Sequence, residues 1–320
     1  MPDRRLALLA GLLAAACAFF LFWGPGGRSG FILELRAVKL AALLVVGAAI
    51  GTSTVVFQTV TGNRILTPAI MGFDALFLLL QTVLVLVFGG SGYLGMLGPG
   101  KFVLETVLMM AAAMALFSLL LGRGREDIHR MLLVGIIFGV FFRTLTNFLQ
   151  RIVDPSEYAV VQGAMFASFN SVDPQQLAIA ALVSAAALGV LVRLTGRLDI
   201  VALGRIPAVG LGLGYDRLVF TLMALVAALV SVSTALVGPT SYLGAVTFLG
   251  LVVASLAHSL MRSHRHALLL PAAAMISALV LVAGQGLFER VFHLQSTLFV
   301  IVDFFGGMFF LFLLLRGYLR

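Results

Sequence analysis

The chain has 320 residues, of which 61% are hydrophobic and only 11% charged, with a mean hydropathy of +1.13. Soluble domains carry about 25% charged residues, so a soluble globule is excluded and the chain reads as an all-α integral membrane protein. Its 21 basic and 13 acidic residues leave a net charge of +8; in a membrane protein the placement of cations reports topology, so the charge is no argument for nucleic-acid binding.

A bilayer core about 30 Å thick takes about 20 apolar residues per helix. Apolar runs near 6–23, 38–60, 69–88, 102–121, 129–149, 177–194, 216–236, 242–261, 267–286 and 296–316 predict about ten spans. A β-barrel would show short alternating strands instead. With the N-terminus inside, most arginines fall on the inner side, while Arg28, Arg36, Lys39, Lys101, Arg151 and Arg290 stay outside. That bias predicts an even number of spans with both termini cytoplasmic.

The first run follows Arg4 and Arg5 and contains Ala14, Ala15, Ala16 and Cys17, which resembles a lipoprotein cleavage site. The run continues through Phe19, Phe20, Phe22 and Trp23, and Ala14 stands where such sites favour leucine, so it is read as the first helix. Cys17 is the only cysteine, which excludes an internal disulfide. Gly24, Pro25, Gly26 and Gly27 break the helix, and the second run ends at Gly62, Asn63 and Arg64 before Pro68, a tight inner connection. A Gly-rich outer loop follows near 89–100 and a charged inner loop near 122–130. Within the long outer segment 151–176, residues 158–169 are mildly apolar and predict a short surface helix. The stretch 198–215 is Gly-rich with Pro207, too broken to span, and predicts a short amphipathic helix beneath the bundle. From Gly238 to Pro271 a Gly-Pro breaker leads into an apolar helix that turns polar at His258 and Ser259 and basic through Arg262, His264, Arg265 and His266. This compact basic connector reads as a surface that lies against something outside the lipid. No soluble domain or linker intervenes, so residues 1–320 read as a single transmembrane domain.

Hydrolase chemistry is missing from the pattern. There is no GxSxG elbow, no HExxH pair and no GxxxxGK[ST] loop, so the chain is not expected to hydrolyse ATP or to act as an enzyme. The histidines at 258, 264 and 266 stand among arginines at a helix end, where the dipole and the headgroups favour cations; no bound metal or other cofactor is expected. Charges inside spans are costly and face protein or an aqueous path; the candidates are Asp74, Glu105, Arg143 and Asp303. Glu105 lies near a helix start and reads as interfacial. Arg143 is about fourteen residues into its run, which at about 1.5 Å per residue puts it near the outer third of the membrane. It either lines a path for an anionic substrate or pairs structurally. Asp303, just before Gly306 and Gly307, either lines the path or sits at a close helix contact.

Several segments, in order along the chain, resemble the iron-chelate uptake (FecCD-like) permease family of siderophore and vitamin B12 importers. LRAVKLAALLVVGAAIGTSTVVFQTVTGNRILTPAIMGFDAL is similar to the family's LRLPR…GAALA…Q…NPLA.P.LLG segment, with Gln58, Asn63, Pro68 and Gly72 on matching positions and Arg36 and Lys39 in place of its two arginines. VALGRIPAVGLGLG is similar to LALGE..A..LG, with Arg205 in place of the glutamate. GPTSYLGAVTFLGLVVASLAHSLMRSHRHALLLPAAA resembles GPIGFIGLVIPHI.R…..H…LLP, with Ala254 and Ser255 in place of Pro-His.

The resemblance implies a type II ABC importer permease of about ten helices per subunit in the bacterial inner membrane. It implies two permease subunits around a central path, a cytosolic ATPase dimer using ATP and Mg, and an external solute-binding protein. The connector from Ser255 to His266 would then form the ATPase-coupling helices, through Ser255, His258, Ser259, Arg262, His264, Arg265 and His266. Arg36, Lys39 and Arg290 would dock the binding protein, rim pairs that set orientation and association rate; the alternative for Arg36 and Lys39 is snorkelling at a helix end. The departures from the pattern suit one half of a permease heterodimer. An iron–siderophore complex is the expected cargo. The alternatives are vitamin B12 or haem in the same importer class, or an ion-gradient-driven secondary transporter, whose broken spans should recur in both halves. An intramembrane enzyme would need a catalytic dyad within the spans, and none is evident.

Overall fold

A computed structural model describes residues 2–23, 30–95, 98–123, 128–164, 168–170, 172–238 and 248–290. Within them the chain is helical: α1 (Pro2–Phe22), α2 (Gly30–Thr61), α3 (Phe73–Gly95), α4 (Pro99–Arg123), α5 (Ile128–Gln150), α6 (Pro155–Ala164), α7 (Pro174–Arg193), α8 (Thr195–Val201), α9 (Arg205–Gly210), α10 (Tyr215–Val237), α11 (Phe248–Met261) and α12 (His266–Arg290). A single 3₁₀ turn, Pro68–Met71, joins α2 to α3. Among the described residues eight helices are long and apolar enough to cross a membrane, and α11 is a shorter apolar one. Nine of the ten predicted spans therefore meet a described helix; the tenth, 296–316, lies outside the described residues.

Local chemistry sets the boundaries. Pro174 opens α7 behind the Asp173 cap, whose Oδ1 accepts from the Gln175 and Gln176 amides at 2.8 and 3.1 Å. Asp154 opens α6 in the same way, accepting from the Ser156 amide at 3.1 Å and hydroxyl at 2.8 Å, and these bonds hold its carboxyl below the ordinary value. The expected surface helix is thus real, but its proline start puts it a few residues upstream of 158. The broken stretch 198–215 resolves into α8 and α9, parted by Gly204 at φ 93°. Gly89, at φ 70°, turns α3 out of its helical course, so that Tyr93 folds back onto Gln81.

α2 is the hub, buried along most of its length from Leu40 to Thr61 and packed on α12, α10, α7 and α11. Small residues let the backbones meet. A Cβ on Gly47 would lie 2.7 Å from Ala278 Cα, and one on Gly51 only 2.3 Å from the Ala273 carbonyl oxygen, both on α12. The polar residues of this buried helix bond its own carbonyls: Thr52 to Ala48 at 2.6 Å, Thr54 to Ile50 at 2.7 Å and Thr61 to Phe57 at 2.8 Å. α5 is the opposite case, with Leu133, Ile137, Val140, Phe141 and Phe148 all exposed.

Candidate coupling, docking and path surfaces

The connector is not a separate helix. Residues up to Met261 continue α11, and Arg262 to Arg265 form a non-helical link to α12. Arg262 takes the left-handed conformation, φ 47°, with its amide donating to the His258 carbonyl at 3.0 Å, which closes α11. The Arg265 carbonyl accepts from the Leu268 and Leu269 amides, and Ser263 Oγ accepts from the Arg265 amide at 3.3 Å, which opens α12. Ser259, Arg262, His264 and Arg265 are exposed, whereas Ser255 and His258 are half-buried.

His266 corrects the expectation most sharply, because it is only 2% exposed and faces the protein. Its amide and Nδ1 both reach Asp199 Oδ1 on α8, at 2.8 and 2.6 Å, and its Nε2 lies 2.7 Å from Thr59 Oγ1 on α2. A basic residue at a helix start reads as surface from sequence; here a carboxylate 67 residues away in the chain draws it inward.

The same end of the bundle carries the apolar surface that sequence reasoning missed. Leu203, Ile206, Val209 and Leu211 on and around α9 are exposed, Ile206 to 87%, while Arg205 pairs with Asp216 at the start of α10 at 3.6 Å. The signal was available in the apolar positions of VALGRIPAVGLGLG, which cannot span and cannot all be buried by so short a segment.

At the other end, Arg36 is 6% exposed and donates from Nη1 to the Leu21 carbonyl at 2.8 Å and the Trp23 carbonyl at 3.4 Å. It holds the C-terminus of α1, where a cation complements the helix dipole, with its head group buried on those carbonyls and not extended at the rim. Lys39 donates to Glu289 on α12 and to Asn170, and Gln285 Nε2 donates to the same Glu289 oxygen at 2.5 Å. The side chain of Arg290 and all of Asp303 lie outside the described residues. Glu105, in the second turn of α4, is buried within the chain: Gln81 Nε2 donates to it at 2.9 Å, Lys101 stands 3.5 Å away, and the Tyr93 hydroxyl donates to Gln81 at 2.5 Å. Asp74, at the first turn of α3, lines a cavity of about 30 Å³ with Ser53, Thr54, Thr67, Ser233 and Thr234, room for about one water.

Arg143 is exposed on α5, with Thr144 and Asn147 exposed beside it and Arg151 just beyond the helix end. No described carboxylate forms an ion pair with it. Polar groups on an outward face within a span mark an aqueous path or a protein partner, since lipid tails solvate neither.

The whole architecture can be set against known proteins. The model of the FecCD transport family matches residues 18–316. The chain belongs to the FecCD transport family. Within it, the chain is 40% identical over 315 residues to the petrobactin import system permease protein YclO of Bacillus subtilis (strain 168), covering 98% of each. It is 32% identical to the petrobactin import system permease protein FatC of Bacillus anthracis, covering 89% of this chain and 79% of that one. The fold matches a solved structure of an inward-facing metal-chelate type ABC transporter with a TM-score of 0.83 at 21% identity, over 99% of this chain and 100% of that one. This FecCD chain is therefore a multi-pass membrane permease with the helical architecture of that ABC transporter. The motif positions Gln58 and Gly72 acquire physical roles within it. Gln58 Nε2 donates to the Arg64 carbonyl at 2.6 Å, holding the tight turn after α2, and Gly72, at φ 86°, meets Gly139 of α5 so closely that a Cβ would stand 2.5 Å from its Cα.

Proposed function

We propose that this chain is the permease subunit of an ABC importer that moves an iron–siderophore complex across the bacterial inner membrane, with both termini cytoplasmic. The observation that carries the reading is that relatives 40% and 32% identical, the first over 98% of the chain, are both petrobactin import permeases. The chain itself is non-catalytic and holds no cofactor; a cytosolic ATPase dimer supplies ATP and Mg chemistry. That dimer seats on the exposed apolar row of α9 and on the exposed part of the connector, Ser259, Arg262, His264 and Arg265. Ser255 and His258 support this surface from behind, and His266 sits deeper still. A second permease, different in sequence, faces α5, with Arg143 and Asp303 lining the path between the subunits. A periplasmic or lipid-anchored binding protein docks outside through Lys39 and Arg290, while Arg36 positions α1 beneath them.

Uptake of radiolabelled ferric petrobactin by cells lacking their own permease tests the reading. Complementation should restore uptake that vanadate inhibits and a proton uncoupler does not. Uptake of vitamin B12 or haem without the ferric chelate would overturn the cargo, and uptake abolished by the uncoupler alone would overturn the energy source.

A further inference from the structure

The Asp199, His266 and Thr59 cluster joins three elements that sequence and backbone hydrogen bonding leave separate: α8, the start of α12 and the last turns of α2. Asp199 Oδ1 accepts two hydrogen bonds from one residue, from the His266 amide and from Nδ1. A carboxylate at this place also complements the positive end of the α12 dipole. The other ring nitrogen meets Thr59 Oγ1, whose hydroxyl also lies 2.8 Å from the Val55 carbonyl. The bridge therefore closes in either charge state of the ring. When both nitrogens carry protons, the hydroxyl proton turns to Val55; when Nε2 is bare, the hydroxyl donates to it. Imidazole is rigid and planar, and its 2% exposure leaves no room for the ring to swing aside. Charge-assisted bonds near 2.6–2.8 Å resist stretching, so a displacement of α8 is passed to α12 and α2 instead of being lost in the four-residue connector.

We propose that Asp199, His266 and Thr59 form the joint that carries movement of α8 and α9 into the membrane helices, with His266 as a positioning residue for transport. This rests on the reading of the α9 surface as the ATPase seat. Its three members come from three different elements, α8, α12 and α2, and two of these, α2 and α12, meet closely at Gly47 and Gly51, so that the joint bears directly on the hub of the bundle.

Two measurements test the joint. In lipid nanodiscs the permease alone should show, for Asp199→Ala, at least tenfold faster amide exchange both in residues 195–201 and in residues 266–270, with the outer half of α12 unchanged. Unchanged exchange in 266–270 would overturn the joint whatever the ATPase does. In the full importer, Thr59→Val cuts only the arm to α2, and His266→Asn keeps a donor near Asp199 but cannot reach Thr59. Both should leave complex assembly and basal ATP hydrolysis within twofold of the parent while cargo moved per ATP falls at least fivefold. A purely structural bridge would lower thermal stability yet leave cargo per ATP at the parent value, and that result overturns the proposal. Failure of the unmodified chain to bring down any ATPase would instead remove the reading of the seat, and the exchange experiment would still decide whether the three elements are joined.

Discussion

α2 and α5 are both apolar helices of spanning length, yet α2 is buried on nearly every side and α5 on almost none. The difference lies in side-chain size and in where polarity is tolerated. α2 presents Gly47, Gly51, Thr52, Ser53 and Thr54 to its neighbours, and its hydroxyls bond its own carbonyls, so backbones close to van der Waals distance without orphaned donors. α5 presents Leu133, Ile137, Val140 and Phe148 outward, with Arg143, Thr144 and Asn147 among them. Its contact with the bundle includes the Gly72 and Gly139 approach. α2 is closed within this chain, whereas α5 leaves most of its surface uncovered by it.

The sharpest way to break this contrast is at Gly51. Valine there would push into the Ala273 carbonyl, and overpacking of this kind costs about 3 kcal/mol or more when backbone must move. A large fall in folded yield and in the detergent melting temperature is expected; a melting temperature within a degree of the parent would mean that the α2 and α12 seam is looser than described.

A second test moves to the seat for the ATPase. Replacing exposed Ile206 with Asp should abolish co-purification of the ATPase, because central apolar anchors carry a large share of an interface's energy, often about 2 kcal/mol or more each. The permease itself should stay within about 0.5 kcal/mol of its parent, as surface changes usually do. Retained co-purification would remove the α9 row from the interface.

On α5, Arg143→Glu should reduce uptake of an anionic ferric chelate at least tenfold, with Arg143→Lys intermediate and stability unchanged for both. Equal loss of folded protein in the two variants would show that Arg143 serves packing, and the contrast between the helices would fail there. The companion change Val140→Ala should alter the stability of the single subunit by less than about 0.5 kcal/mol while weakening its pairing with a second permease.

The smallest effect is expected at the α6 cap. Asp154 is held below its ordinary value of 3.8 by the Ser156 bonds, so its folded carboxyl binds protons less readily than its unfolded one. The cap is fully present above the unfolded value and is lost as pH falls through the folded one. Protection of the 155–159 amides, taken relative to their intrinsic exchange rate at each pH, should therefore fall as pH drops below 3.8, and Asp154→Asn should remove that step.

Much of this was legible from the chain alone. Apolar runs of about 20 residues must become helices in lipid, and nine of them did where residues are described. The segments around Gln58, Gly72 and Gly204 carried the family resemblance. The misreadings share one cause. The resemblance put Arg36 and His266 on docking and coupling surfaces, and its place near a helix start put Glu105 at an interface, yet each is buried against a group further off in the chain: carbonyls at the end of α1, Gln81, and Asp199 with Thr59. The reverse error hid Leu203, Ile206, Val209 and Leu211, apolar residues that the fold leaves exposed.

Hydrophobicity and helix punctuation act locally, so the amino-acid sequence by itself determined that this is a helical membrane protein, where its helices break, and which family it resembles. Which face of each helix is covered depends on the rotation and crossing of neighbours, and a shift of one residue turns a helix by about 100°. Only the tertiary structure could therefore decide that α2 is the closed hub, that α5 stays largely uncovered by its own chain, and that a histidine in a basic connector points inward to bridge three helices.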